Sequence, residues 1–79
     1  MATNHELVLY VMTSCPYCIK VKRFLEDNGV TIPERNISTD AEAEQTLIAV
    51  GGKRQVPCLF IDGKPLYESS DIIAWVQEN

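Results

Sequence analysis

Two cysteines separated by two residues carry the chemistry that this sequence shows most plainly. Cys15 and Cys18 enclose Pro16 and Tyr17, and two thiols at this spacing can form and break a disulfide reversibly. A Cys-x-x-Cys pair at the junction between a strand and a helix indicates a redox motif rather than a zinc site. We therefore expect thiol–disulfide exchange at this pair.

The two cysteines are expected to differ because a helix begins between them. Pro16 suits the first helical position, which makes Cys15 the capping residue, while Cys18 shares one helix face with Val21 and Leu25. A helix N-terminus favours negative charge, and thiols in such places have a pKa lowered from about 8.5 to about 3.5–7.5. Cys15 is predicted to be the attacking nucleophile and Cys18 the resolving thiol.

The elements that position this motif alternate between strands and helices. Hydrophobic patterns and turn signals predict strands at about 7–11, 31–36, 58–62 and 65–67, and helices at about 16–28, 40–50 and 70–78. A capping box over 39–42 starts the second helix, and Asp62-Gly63 predicts a hairpin turn. The order βαβ-ββα predicts an α/β fold, with a four-stranded mixed sheet flanked by three helices in a single domain over 1–79.

Composition and charge narrow the functional classes. The chain has 79 residues, of which 46% are hydrophobic and 23% charged, and a formal net charge of −4. This charge argues against a nucleic-acid partner, and no apolar run is long enough to span a membrane. The start, 1–6, lacks the features of a signal peptide, and three cysteines are too few for a secreted disulfide scaffold. The expected compartment is a reducing cytoplasm.

With these features in place, the chain resembles the glutaredoxins, the smallest members of the thioredoxin-fold superfamily, over nearly its whole length. The resemblance rests on Cys15-Pro16-Tyr17-Cys18, on Val56-Pro57 before a strand, and on the segment 63–71 before the last helix. It implies a thioredoxin-like fold and a glutathione-disulfide oxidoreductase, with glutathione as reducing co-substrate and no tightly bound cofactor or metal. The implied partners are oxidised or glutathionylated proteins and, indirectly, glutathione reductase, and the protein is expected to be a monomer.

The resemblance also implies how glutathione is held. Pro57 is expected to form a cis peptide bond and to face the dithiol, with the backbone of Val56 pairing with the substrate. Gln55 stands where the family usually has threonine, and its backbone is expected to keep that position's role in binding glutathione. Tyr17, in the first turn beside Cys15, is expected to cover the bound tripeptide.

The segment before the last helix is expected to bind the γ-glutamyl end of glutathione through Ser69 and Ser70. Most glutaredoxins have two glycines in this segment, which this chain lacks. The pair Glu68-Ser69 instead is similar to the glutathione transferases, which bind the same group with an acidic or amide residue followed by serine. Both comparisons imply glutathione.

A second departure from the family concerns the positive charge near the nucleophile. Met12 stands where many glutaredoxins have a lysine, which stabilises the thiolate and attracts the glycyl carboxylate. Lys53 and Arg54 are the cations expected to bind that carboxylate instead, with solvated surface charge as the alternative. Cys58 and Trp75 are expected to be buried, with a third redox thiol or a glutathionylation site as the alternative for Cys58.

Three other interpretations stay open. A dithiol electron donor served by thioredoxin reductase would need the same motif but no glutathione pocket. Some glutaredoxins hold a [2Fe–2S] cluster with glutathione between two protomers, although the dithiol members that do so tend to replace the proline found here as Pro16. A zinc site of Cys15, Cys18, Cys58 and His5 is weaker, because such sites usually come as paired knuckles; His5 is expected to be solvated.

Overall fold

All four predicted strands form one sheet in the computed structural model. The structure describes residues 5–78. The strands are β1 (Leu7–Val11), β2 (Glu34–Asn36), β3 (Cys58–Ile61) and β4 (Lys64–Tyr67), and the helices are α1 (Pro16–Asp27), α2 (Ala41–Gly51) and α3 (Ser69–Glu78). Residues 1–4 and 79 of the predicted domain, and with them most of the segment compared with a signal peptide, lie outside the described residues.

The sheet is mixed, as predicted, with the strand order β2-β1-β3-β4. The central strand β1 runs parallel to β2 and antiparallel to β3, and β3 pairs with β4 in antiparallel register. The hairpin predicted at Asp62-Gly63 joins β3 to β4, and both residues have positive φ, 52° and 83°. These angles are typical of the type I′ turn that suits the twist of two paired strands.

Two elements begin later than the sequence pattern indicates. The strand predicted over 31–36 starts only at Glu34, because Pro33 has no N–H to donate to the ladder. Its carbonyl oxygen still accepts the N–H of Leu9, at 2.8 Å. Helix α2 is capped by Asp40 rather than by Thr39, since the Asp40 carboxylate accepts the N–H of Ala43. The predicted capping box is therefore wrong by one residue.

Each face of the sheet has its own hydrophobic core, because successive side chains of a strand point to opposite faces. Leu9 and Val11 of β1 point to the larger core, which α1 and α3 cover, and Tyr10 points to the smaller core, which α2 covers. Trp75, predicted to be buried, is only partly buried at the border of the larger core. No helix among residues 5–78 combines the length and the apolar character needed to cross a bilayer.

Candidate functional site

Cys15 occupies the capping position of α1 that the sequence predicts. Its backbone is extended, with φ −92° and ψ 115°, and its sulfur accepts the N–H of Cys18 at 3.3 Å. Ser14, directly before it, has a left-handed backbone with φ 62°, a conformation that non-glycine residues rarely adopt and that is frequent at functional sites. The Cys15 sulfur thus lies at a helix terminus, where it accepts one of the N–H groups that have no partner within the helix.

A small polar network, which the sequence analysis missed, holds the loop before Cys15. The hydroxyl of Ser38 accepts the N–H of Thr13 at 3.1 Å, and the amide of Asn36 donates to the Thr13 hydroxyl at 3.0 Å. The Asn36 side chain in turn accepts the N–H of Ser38 at 2.8 Å. These residues follow or end the parallel strands β1 and β2, whose carboxyl ends meet at one edge of the sheet. That shared edge was the available signal for the network.

Cys18 differs from Cys15 in both burial and charge. Its side chain is 1% exposed and belongs to the larger core. Burial, followed by a hydrogen bond to the Cys15 sulfur, raises the pKa of Cys18 to about 12. Cys18 therefore keeps its proton at neutral pH, whereas Cys15 is the partly exposed sulfur at the helix tip.

A cavity of about 320 Å³ lies beside the dithiol motif and brings together six of the residues predicted to bind glutathione. The Val56-Pro57 peptide bond is cis, as predicted. The cavity is lined by Tyr17, Gln55, Val56, Pro57, Glu68 and Ser69. One concave surface is thus formed by residues that lie far apart in the sequence. They come from α1, from the segment before β3 and from the start of α3.

A direct hydrogen bond joins two sides of this cavity. The amide Nε2 of Gln55 donates to Oε1 of Glu68 at 3.1 Å. Glu68 has a left-handed backbone with φ 69° and directly precedes Ser69, the first residue of α3 and a buried polar residue. The carboxylate of Glu68 and the start of α3 therefore face the same space.

The predicted cations do not line the cavity. The ammonium of Lys53 lies 4.5 Å from the centroid of the Tyr67 ring, and the guanidinium of Arg54 pairs with Glu44 at 2.8 Å. Ser70 is exposed and does not contribute to the cavity wall. Met12 packs against the smaller core. Binding of the glycyl carboxylate by Lys53 and Arg54 therefore stays a prediction.

The other two residues of the hypothetical zinc site lie elsewhere. Cys58 is buried in the smaller core, as predicted, and burial raises its pKa to about 11. The expectation that His5 is merely solvated is wrong, because its Nδ1 lies 2.6 Å from the carboxylate of Asp62 and its ring contacts Trp75. Among residues 5–78, no three side chains of the metal-binding types come together as a group that could hold a metal ion.

Comparison with known sequences gives a consistent family. The sequence model of the glutaredoxin family matches residues 7–66, which include both cysteines of the motif. Glutaredoxin 1 of Rickettsia felis is 42% identical over 63 residues, which make up 77% of this chain and 62% of that protein. Glutaredoxin 3 of Escherichia coli K12 is 32% identical over 66 residues, which make up 84% of this chain and 80% of that protein. The chain thus spans about 62% of the length of the Rickettsia felis relative.

Solved structures share the architecture. The thioredoxin-like protein BC3987 has a TM-score of 0.77 at 29% identity, over 91% of this chain and 96% of that chain. Buckwheat glutaredoxin, solved as a complex with glutathione, has a TM-score of 0.73 at 23% identity, over 94% of this chain and 70% of that chain. These similarities identify the fold as thioredoxin-like.

Proposed function

The chain belongs to the glutaredoxin family, and on that premise we propose that it is a glutathione-dependent thiol–disulfide oxidoreductase with Cys15 as nucleophile and Cys18 as resolving thiol. One observation carries the proposal: the partly exposed Cys15 sulfur, at the cap of α1, lies next to a preformed cavity of about 320 Å³ that Tyr17 of the same motif helps to line. A thiol nucleophile and a small-molecule cavity are the two parts that such an enzyme needs.

The cavity suits a small peptide with a γ-glutamyl end. Its volume is near the lower end of the range typical of ligand pockets, roughly 300–1,000 Å³. The backbone of Val56 borders it and could add an extended peptide in the manner of a strand. Ser69, at the start of α3, and Glu68 are proposed to take the carboxylate and the ammonium of the γ-glutamyl group. The buckwheat glutaredoxin, which shares this fold, was solved with glutathione bound.

For a glutathionylated protein, the proposed cycle uses Cys15 alone. The Cys15 thiolate attacks the glutathione sulfur of the mixed disulfide, so that a new Cys15–glutathione disulfide forms while the old disulfide breaks and the protein thiolate leaves and takes a proton. The thiolate of a second glutathione then attacks the glutathione sulfur on Cys15. Oxidised glutathione leaves and the Cys15 thiolate is restored.

For a protein disulfide, the cycle needs Cys18. Cys15 attacks one sulfur of the substrate, Cys18 attacks the resulting mixed disulfide at Cys15, and the substrate leaves as a dithiol. Two glutathiones then reduce the Cys15–Cys18 disulfide, which takes up two electrons. Once Cys15 is in a disulfide, its charge and its hydrogen bond no longer raise the pKa of Cys18, but burial, the largest cause, persists. Cys18 therefore has to lose its proton as it attacks.

The compartment and the assembly state belong to the same proposal. Three free thiols, one of them partly exposed, are typical of proteins in a reducing compartment such as the cytoplasm. The proposed cycle needs one protomer, because the nucleophile, the resolving thiol and the cavity are all provided by a single chain.

The test is glutathione-coupled reduction of a small glutathione mixed disulfide by the wild type, Cys15→Ser and Cys18→Ser. Cys15→Ser is expected to lose at least about a thousandfold in rate, since the nucleophile is removed. Cys18→Ser is expected to retain turnover of the mixed disulfide and to lose reduction of a protein disulfide.

The same assay separates the proposed function from the thioredoxin-reductase alternative. If the wild type reduces protein disulfides only when thioredoxin reductase supplies electrons, and glutathione supports no turnover, the glutathione-dependent function is refuted. A Cys18→Ser variant that loses activity on both kinds of substrate would refute the cycle in which Cys15 works alone.

A further inference from the structure

The outward face of α1 exposes an apolar side chain, Ile19, close to the proposed nucleophile. Ile19 is 51% exposed and lies one helical turn after Cys15, to whose carbonyl oxygen its N–H donates at 2.9 Å. A shallow groove of about 290 Å³ continues along the helix from this point. The groove is lined by Ile19, Lys22, Arg23 and Glu26. The groove therefore begins one helical turn after the nucleophile and combines one apolar side chain, Ile19, with charged ones.

This face is also basic in an acidic protein. Helix α1 carries three of the seven Lys and Arg residues of the chain, and its first acidic residue is Glu26 near its end. The chain as a whole has a formal net charge of −4. Positive charge is thus concentrated along the helix whose tip holds the nucleophilic sulfur.

Two of these cations have no acidic partner within the described part of the chain. Lys22 pairs with Glu34 at 3.4 Å, and the cations elsewhere include Arg35 and Arg54, which pair with Asp40 and Glu44. By contrast, no ion pair joins Lys20 or Arg23 to an acid among residues 5–78. Both side chains are exposed and lie three positions apart, so that they are neighbours on the helix surface.

We propose that Ile19, Lys20 and Arg23, called here the α1 outer face, form a docking surface for an acidic segment that flanks the target cysteine of a protein substrate. The inference rests on the proposed function and adds the class of protein substrate. Ile19 provides apolar contact, and Lys20 and Arg23, which form no ion pair with a carboxylate among the described residues, provide attraction for an acidic segment. Complementary charges of this kind set the orientation of the partner and the rate of encounter more than the final affinity.

Helix geometry predicts where the acidic residues lie in the substrate. Arg23 lies eight positions after Cys15, which at 1.5 Å per residue is about 12 Å along the helix. An extended peptide advances about 3.3 Å per residue, so about four residues cover the same length. The preferred substrate therefore has Asp or Glu about three to four positions from the cysteine whose disulfide Cys15 attacks.

The experiment compares two glutathionylated peptides that differ only three and four positions from the cysteine, with Asp-Glu in one and Asn-Gln in the other. Each peptide is made with the pair before or after the cysteine, and a small glutathione mixed disulfide measures basal activity. The enzymes are the wild type, Lys20→Gln/Arg23→Gln and the control Lys64→Gln, whose exposed cation lies at the hairpin end of β4, away from Tyr67 and the cavity.

In one of the two orientations, the wild type is expected to turn over the acidic peptide about three- to tenfold faster than the neutral one at low salt. The double variant should lose this preference while keeping its rate on the small disulfide, and Lys64→Gln should keep both. The preference should also fall as salt rises to about 0.15 M, where charges are screened beyond about 8 Å. Equal rates for both peptides in both orientations, or a preference that survives in the double variant, would overturn the docking surface.

A binding measurement keeps this inference distinguishable from the proposed function. The acidic peptides, with Ser in place of the cysteine, are titrated against the isotopically labelled protein and followed by NMR. Shifts concentrated at residues 19–23 and absent with the neutral peptides are expected, even if the enzyme does not turn over the small disulfide. Shifts elsewhere on the surface, or none, would overturn the surface while leaving the redox cycle to its own assay.

Discussion

Each face of the sheet buries one thiol, and the two thiols have the same burial but different neighbours. Cys18 is 1% exposed under α1 and α3, and Cys58 is 0% exposed under α2. Burial is the largest cause of a raised pKa in both, to about 12 for Cys18 and about 11 for Cys58. The second cause differs: for Cys18 it is the neighbouring Cys15 sulfur, which raises the pKa further, whereas for Cys58 it is the nearby Tyr67 hydroxyl, which lowers the pKa.

Under the proposed cycle, burial and a raised pKa do not by themselves mark a redox thiol, because Cys58 shares both with Cys18. Cys58 lies in a strand, packed among the apolar side chains of the smaller core. Cys18 lies in the first turn of a helix whose cap presents a second sulfur to the outside. The proposed role of Cys18 therefore depends on Cys15 at the helix tip, because Cys18 can attack a mixed disulfide formed there and make the Cys15–Cys18 disulfide.

The comparison can be broken most sharply with a matched pair, Cys18→Ala and Cys58→Ala. Each removes one buried sulfur and should cost a similar free energy of unfolding, about 1 kcal/mol from the lost burial of one heavy atom. Cys18→Ala is expected to lower reduction of a protein disulfide by at least about a hundredfold, because no resolving thiol remains. Cys58→Ala should keep that activity. A large loss of activity in Cys58→Ala, with unfolding like that of Cys18→Ala, would contradict the assignment.

Alkaline pH should reveal what the two thiols share. Below about pH 9 both are protonated in the folded and in the unfolded chain, so the stability is at its full value. As pH rises further, the unfolded thiols ionise while the folded ones keep their protons, up to about 11 for Cys58 and about 12 for Cys18. Each thiol then lowers the free energy of unfolding by up to about 1.4 kcal/mol per pH unit.

Urea unfolding between about pH 9 and 11 measures this slope, with thiols kept reduced. Cys58→Ala should reduce the change of the unfolding free energy with pH relative to the wild type, since only one buried thiol then binds its proton more tightly in the folded state. Taking the difference between the two proteins removes the contribution of the lysines and tyrosines that both contain. An unchanged slope would show that burial does not hold the proton on Cys58.

The smallest expected effect concerns the loop before Cys15, which has no counterpart at Cys58. It tests whether the hydrogen bond between Ser38 and Thr13 helps to position the Cys15 sulfur. Ser38→Ala leaves the N–H of Thr13 without its partner and should cost about 0.5–1.5 kcal/mol of stability. It should also lower turnover of a small mixed disulfide a few-fold, because the loop that places the Cys15 sulfur is loosened. Thr39→Ala is the control, since the hydroxyl of Thr39 makes only a long 3.5 Å contact with a backbone oxygen. If Ser38→Ala and Thr39→Ala have the same stability and the same turnover, the network does not help to position Cys15.

Short-range features of the fold were predicted because they depend on neighbours in the sequence. Pro16 at the first helical position, the Asp62-Gly63 turn and the buried stripe of α1 each follow from residues within a few positions of one another. The later start of β2 at Glu34 shows where this reasoning stops. Whether a residue next to a proline joins a ladder depends on the strand beside it, and that strand lies more than twenty positions away.

Several contacts at the site depend on long-range pairing and so escaped prediction. The bond between Gln55 and Glu68 crosses the cavity between two segments thirteen residues apart, and Thr13 meets Ser38 only because β1 and β2 lie side by side. Arg54, predicted to bind the glycyl carboxylate, pairs with Glu44 of α2, a contact that the sequence did not indicate. No local pattern encodes such competition for a partner.

The sequence alone determined the dithiol motif, the difference in burial between its two cysteines and the family to which the chain belongs, because helix periodicity places Cys18 on the buried face of α1 and Cys15 at its cap. Only the tertiary structure decided which Lys and Arg side chains pair with a carboxylate or an aromatic ring and which do not. Lys53 and Arg54 have partners in the structure, whereas Lys20 and Arg23 have no acidic partner among residues 5–78. An exposed cation finds a partner only where another element brings a carboxylate or an aromatic ring within reach, and that proximity exists only after folding.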